Sequence, residues 1–122
     1  MQNQTYKIPY SKSVLEFTLP PSMRVTVAVS QPAEPVKDIS IAIKETLDHP
    51  IGTPPLRELA KPGDRACIVF TDITRACPDH LLVPALLAEL EKAGVRDEDI
   101  TLLCGVGMHR PSTQEEKVTK LG

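Results

Sequence analysis

The chain has 122 residues, 41% of them hydrophobic and 25% charged, with a formal charge of −2 from 14 basic and 16 acidic side chains. That length suits a single domain with a modest core, and the composition excludes a disordered or fibrous chain. The charges are scattered, with no basic run to follow a phosphate backbone, so nucleic acid is not an expected partner.

The opening MQNQTYKIPYSK has no apolar core of a signal peptide, and no stretch approaches the roughly 18 apolar residues of a membrane span. A cytoplasmic protein without a membrane partner is expected. Three cysteines, Cys67, Cys77 and Cys104, are an odd number without CxxC spacing, which speaks against a disulfide framework or a zinc ribbon and for reduced thiols.

Residues 1–30 read as a β-rich start. VLEFTL and RVTVAVS carry β-branched and aromatic residues in rough alternation, as strands do, with Pro20 and Pro21 marking a turn between them. Residues 31–63 are proline-rich and hold one helix, in which Ile39, Ala42, Ile43 and Leu47 recur at helical spacing behind an Asp38 cap and Pro50 ends it near His49.

Residues 64–122 read as a βαβα unit. ACIVF, Ala66 to Phe70, is a continuous apolar run expected to be buried on both faces, as in a parallel sheet. From Pro78 to Ala93 a helix places Leu82, Leu86 and Leu90 on one stripe and stops at Gly94. Pro84 forfeits one backbone bond inside it. ITLLCGVG is a second buried strand, and Thr113 with Glu116, or Ser112 with Glu115, forms a capping box that announces a further helix. The whole is expected to be an α/β domain, a Rossmann-like parallel βαβα unit after a short β-rich segment, with both strands' carboxyl ends on one edge.

Open parallel sheets bind ligands at that edge. The first loop there carries Thr71, Asp72, Thr74 and Arg75, and the second carries Gly105, Gly107, His109 and Arg110. A carboxylate such as Asp72 can accept hydrogen bonds from ribose hydroxyls, and a guanidinium such as Arg75 can grip a carboxylate or phosphate with paired donors. His109 suits a general base near neutral pH. Gly105 and Gly107 allow close approach to the backbone, and the helix start after Ser112 favours an anion.

Blander readings make Asp72 a helix cap and Arg75 its ion-pair partner. Arg110 occupies the place of the third glycine of a dinucleotide fingerprint, which disfavours an ordinary NAD site. Cys77 with His80 is too few ligands for a metal, and Cys77, near a helix start and Arg75, has a possible lowered pKa but no partner base in view. Cys67 and Cys104 are expected to pack in their strands and His49 to lie on the surface.

The stretch from HPIGTPPLRELAKPGDRACIVFTDITRACPDH to ITLLCGVGMHRPSTQEEKVTKLG, with its coupled D-x-T-R and G-x-H-R-P motifs, resembles the amino-terminal domain of the lactate racemase family. The resemblance runs from about Ile39 to Gly122. It implies a nickel-dependent 2-hydroxyacid racemase or epimerase that uses a nickel-pincer nucleotide, in which a histidine removes the hydroxyl proton while hydride passes to the cofactor ring. His109 matches a family acid-base histidine, Thr71 and Asp72 match the loop that holds the nucleotide, and Arg75 matches an arginine of the substrate pocket.

The family often reads D-H-T-R-P where this chain has Ile73 and Ala76, and A-T-G-T-H-R where it has Gly105, Val106 and Met108. Two hydroxyls are thereby replaced by apolar side chains, which leaves the 2-hydroxyacid substrate open and not fixed as lactate. In the family the cofactor-bearing lysine, the nickel-binding histidine and the second catalytic histidine lie beyond position 122, so this chain is expected to hold no metal ligand and to be inactive alone.

The site residues expected here are therefore His109 as catalytic base, Arg75 for substrate, and Thr71, Asp72, Thr74, Gly105, Gly107 and Arg110 for the cofactor. The expected partners are a small 2-hydroxyacid and the rest of a longer chain. Rival readings are a non-catalytic nucleotide-binding or sensor module and an epimerase of another hydroxyacid or sugar acid.

Overall fold

A computed structural model describes residues 4–122, and the chain divides into two compact units, Met1–Glu34 and Pro35–Gly122. The first unit is an antiparallel hairpin of β1 (Gln4–Tyr10) and β2 (Ser13–Leu19), in register from Gln4 opposite Leu19 to Tyr10 opposite Ser13. Only Ser11 and Lys12 lie between the strands, and Ser11 takes a left-handed φ of 54° to close the turn. Cross-strand pairs hold the ladder. Tyr6 and Phe17 stack with ring centroids 5.9 Å apart, and Lys7 lies 3.1 Å from Glu16.

VLEFTL is a strand as its pattern predicts, but its partner is TYKIPY and not RVTVAVS. Residues 24–30 form no strand, and Val29 is 81% exposed. The reason is local. A two-residue loop closes β1 on β2 at small entropic cost. Pro20 and Pro21 interrupt the chain after Leu19, and the Met23 amide donates to the Pro20 carbonyl to turn it.

In the second unit α1 (Ile39–Asp48) starts where expected, with the Asp38 carboxylate accepting the Ile41 amide at 3.0 Å. It ends with the His49 amide bonded to the Glu45 carbonyl, just before Pro50. A four-residue helix, α2 (Leu56–Leu59), was not legible in the pattern. Then come β3 (Ala66–Thr71), α3 (Asp79–Lys92), a 3-10 turn at Asp97–Asp99, β4 (Ile100–Gly105) and α4 (Gln114–Leu121). β3 and β4 are adjacent and parallel, from Ala66 beside Ile100 to Thr71 beside Gly105. The chain is thus α/β, a Rossmann-like βαβα unit preceded in sequence by a β-hairpin.

The core of this unit is Ile68 and Phe70 of β3 against Val83, Leu90 and Ala93 of α3 and its end, with Val95 beyond. The end of α3 shows how sequence sets packing. Gly94 adopts φ 81° and donates to the Glu91 carbonyl, while the Val95 amide reaches back to Leu90, satisfying the last carbonyls and burying Val95 with Leu90. A Cβ at Gly94 would stand 2.8 Å from Pro62 Cγ, so the position needs glycine for space as well as for φ. Arg57 of α2 ties the helices together, 2.6 Å from Asp48 of α1 and 2.9 Å from the buried Glu89 of α3.

The strands depart from expectation in one respect. They are not buried on both faces: Val69 is 64% and Leu103 53% exposed. Both helices explain this, because α3 packs on the Ile68–Phe70 side, and Leu121 of α4 packs against that same core. Among the described residues of this unit no helix layers the other face, and Cys67, expected to pack, is exposed there.

Candidate functional site

Because β3 and β4 are parallel neighbours, the loops after Thr71 and Gly105 leave one edge of the sheet together. The first loop begins with a turn in which the Arg75 amide donates to the Asp72 carbonyl at 3.1 Å. The Asp72 carboxylate closes a smaller ring inside it, accepting the Thr74 amide at 2.9 Å and the Thr74 hydroxyl at 2.6 Å through Oδ1. Aspartate is favoured at the head of such a turn for this reason. Asp72 is therefore not the cap of α3, whose N-cap residue is Pro78, and its partner is not the Arg75 guanidinium.

The second loop turns at Val106–His109, with the His109 amide bonded to the Val106 carbonyl at 2.9 Å and Gly107 at φ 57°. The turn aims the imidazole back at the first loop. His109 Nδ1 lies 3.0 Å from Asp72 Oδ2. Asp72 is buried and His109 exposed, so the carboxylate supports the ring from beneath while the ring's other side meets solvent.

The Thr74 hydroxyl, then the Thr74 amide, and to a lesser degree His109 hold the Asp72 carboxyl far below the usual range despite its burial. An ionised carboxylate only accepts, so Nδ1 carries the proton and donates it to Asp72. In the neutral ring Nε2 is then left bare and basic, the arrangement of a general base whose orientation is fixed from behind.

The other expected site residues divide. Arg75 is exposed, and among the described residues its guanidinium has no hydrogen-bond or ion-pair partner. The Thr74 hydroxyl is spent on Asp72. Gly107 is open, with nothing within 4 Å of a would-be Cβ, whereas a Cβ at Gly105 would press on Val69 at 3.3 Å, giving that glycine a packing role in the strand.

Arg110 turns away from the pair and grips Glu116 with both terminal nitrogens, at 2.6 and 2.9 Å. Glu116 also completes the capping box of α4, accepting the Thr113 amide while its own amide donates to the Thr113 hydroxyl. The Thr71 hydroxyl donates to Asp79 and does not face His109.

Asp79 and Lys120 are the residues that sequence reasoning missed. Both are buried and paired at 3.3 Å. The Lys120 ammonium also donates to the Arg75 carbonyl and, at 2.7 Å, to the Cys77 carbonyl. Burial alone would raise the Asp79 carboxyl, but Thr71, Lys120 and Cys77 together bring it below its ordinary value. A lone lysine near the end of an amphipathic helix carries no signal of this. Cys77 is correspondingly no activated nucleophile, because burial and then the Asp79 carboxylate push its thiol up, opposite to the lowering that its helix-start position suggests. Among the described residues no three His, Cys, Asp or Glu side chains gather to hold a metal ion.

The sequence and fold match a known family. The family model of the lactate racemase N-terminal domain matches residues 10–122. The chain belongs to the lactate racemase N-terminal domain family. It is 35% identical over 117 residues to a lactate racemase of Lactiplantibacillus plantarum, and 32% identical over 118 residues to one of Thermoanaerobacterium thermosaccharolyticum. The alignments take in 94% and 95% of this chain but 27% and 28% of those relatives, so the chain spans about a quarter of their length. The structure of the lactate racemase apoprotein from T. thermosaccharolyticum matches 98% of this chain and 27% of that one, with a TM-score of 0.66 at 29% identity. In this member of the family the D-x-T-R and G-x-H-R-P motifs lie on one sheet edge.

Proposed function

We propose that this domain supplies the base half of the active site of a nickel-dependent 2-hydroxyacid racemase or epimerase. The observation that carries the reading is the Asp72–His109 pair, 3.0 Å apart, with an unengaged Arg75 on the same loop as Asp72. His109 Nε2 takes the substrate hydroxyl proton, with Asp72 holding the ring in the tautomer that leaves this nitrogen free and stabilising the imidazolium that forms. Arg75 grips the substrate carboxylate through paired donors, and the hydroxyl-bearing carbon is thereby set against His109.

The residues present suit the nucleotide part of a nickel-pincer nucleotide. Gly107 leaves the backbone open beside His109, the Asp72 carboxylate keeps a free lone pair on Oδ2, and Arg75 is free to meet an anion. The metal's own ligands would come from outside this chain. When bound, the group supplies the acceptor and donor of the substrate hydride.

Val106 and Met108 stand where hydroxyl side chains occur in the family, and Met108 is fully exposed at the turn beside His109. The substrate is thus assigned as a class, 2-hydroxyacids, without singling out lactate. The test uses the full-length protein that carries this domain, produced with the cofactor-making enzymes. Bound nickel by elemental analysis, racemisation of a 2-hydroxyacid panel, and loss of turnover in His109→Ala are the expected results. A folded protein with neither nickel nor turnover would move the domain to a nucleotide-binding or sensor module.

A further inference from the structure

A buried ammonium is costly unless every donor finds an acceptor. Lys120 meets that condition with three: the Arg75 carbonyl, the Cys77 carbonyl and the Asp79 carboxylate. Two of the three are main-chain carbonyls of the exposed loop that bears Arg75, a stretch with no ladder of its own to satisfy them. Asp79 in turn holds the Thr71 hydroxyl, so both ends of the 71–79 segment are tied to one lysine of α4.

The other end of α4 is tied to the second loop. Glu116 in its first turn grips Arg110, the residue next to His109, and caps the helix with Thr113. One short helix therefore holds the backbone of Arg75 through its last turn and the side chain of Arg110, next to His109, through its first.

We infer that Lys120, with Asp79 as its counter-ion, is a positioning residue that sets Arg75 relative to His109. It touches no substrate and acts through the Arg75 carbonyl. A compact ammonium with three separate donors suits three acceptors around one point, which a planar guanidinium does not. The inference rests on the reading of Arg75 as the partner of the substrate carboxylate.

The test is a double-mutant cycle in the holoenzyme with Lys120→Met, Arg75→Ala and the pair. Lys120→Met is expected to raise KM for a 2-hydroxyacid about tenfold while kcat changes less, and to add nothing once Arg75 is alanine. A merely structural lysine would lower activity to the same degree in both backgrounds. Additive effects, or an unchanged KM in Lys120→Met, overturn the inference.

Amide hydrogen exchange on the same proteins reports the loop whether or not the enzyme turns over. Faster exchange at Thr74 and Arg75 in Lys120→Met, with the centre of α3 unchanged, supports the clamp, and unchanged exchange overturns it. A wild type without turnover whose loop still loosens in the variant rejects the racemase reading and supports the clamp. Should Lys120→Met fail to fold, Asp79→Asn, which keeps the shape and one acceptor oxygen, carries the same cycle and the same exchange test.

Discussion

His109 Nδ1 and Asp72 Oδ2 meet at 3.0 Å across a separation of 37 residues and join the two loops directly. Asp72→Asn keeps the shape but loses the charge, and its amide can present N–H to the ring and favour the wrong tautomer. In the holoenzyme kcat is expected to fall about a hundredfold or more, with a smaller change in KM, because the support acts on the base and not on binding. Steady-state racemisation kinetics measure it, and a drop of less than about threefold would remove Asp72 from the base half.

Glu116 gives the cap of α4 a pH signature. The Arg110 guanidinium, and after it the Thr113 amide, bring its carboxyl down to about 2 from an ordinary 4.5. A depressed folded-state pKa means that the unfolded chain takes the proton first, so the stability this group lends is complete above pH 4.5 and is lost as pH falls towards 2. Denaturant midpoints of wild type and Glu116→Gln are expected to differ near neutral pH and to converge through that window. A gap that stays constant down to the lower end would show that the Arg110 pair does not persist in solution.

The three cysteines rank themselves by environment. Cys77 has its thiol pushed up by burial and by Asp79, whereas Cys67 lies exposed on the bare face of β3. Only the thiolate reacts, so labelling with a maleimide near pH 7.5 is expected to modify Cys67 first and Cys77 last in the folded chain. Mapping the labelled peptides by mass spectrometry against time checks the order. Early modification of Cys77 would mean that the 72–78 loop opens readily, which the Lys120 clamp forbids.

Much of this was legible in the sequence where the signal is local. The Asp38 cap, the Thr113–Glu116 box and the Gly94 stop each depend on residues a few positions apart and form as read, and the apolar runs of β3 and β4 form strands at the expected positions, though not with the expected burial. Asp72, Arg75 and His109 could be listed together because parallel strands leave their ends on one edge. Partner choice was not legible: β2 pairs with β1 through a turn at Ser11 and Lys12 that carries no glycine or asparagine to announce it. The Lys120–Asp79 pair spans 41 positions, and no periodicity encodes it. The burial of β3 and β4 was misjudged for a different reason, since an apolar run states what a strand tolerates and not how many layers cover it.

That last distinction can be measured directly on β3. Phe70 is 3% exposed in the core against α3, while its neighbour Val69 points to the other face and is 64% exposed. Phe70→Ala should empty a core position and cost about 3 to 5 kcal/mol. Val69→Thr keeps a β-branched residue on an open face and should change stability by no more than about 0.5 kcal/mol. Urea unfolding of this chain, followed at two protein concentrations, separates the alternatives. If Val69→Thr instead costs several kcal/mol, and the cost grows with concentration, the apolar face is covered in solution by a second copy. If the cost is large but independent of concentration, the face is covered within the chain itself, and the one-sided layering of the β3–β4 sheet fails.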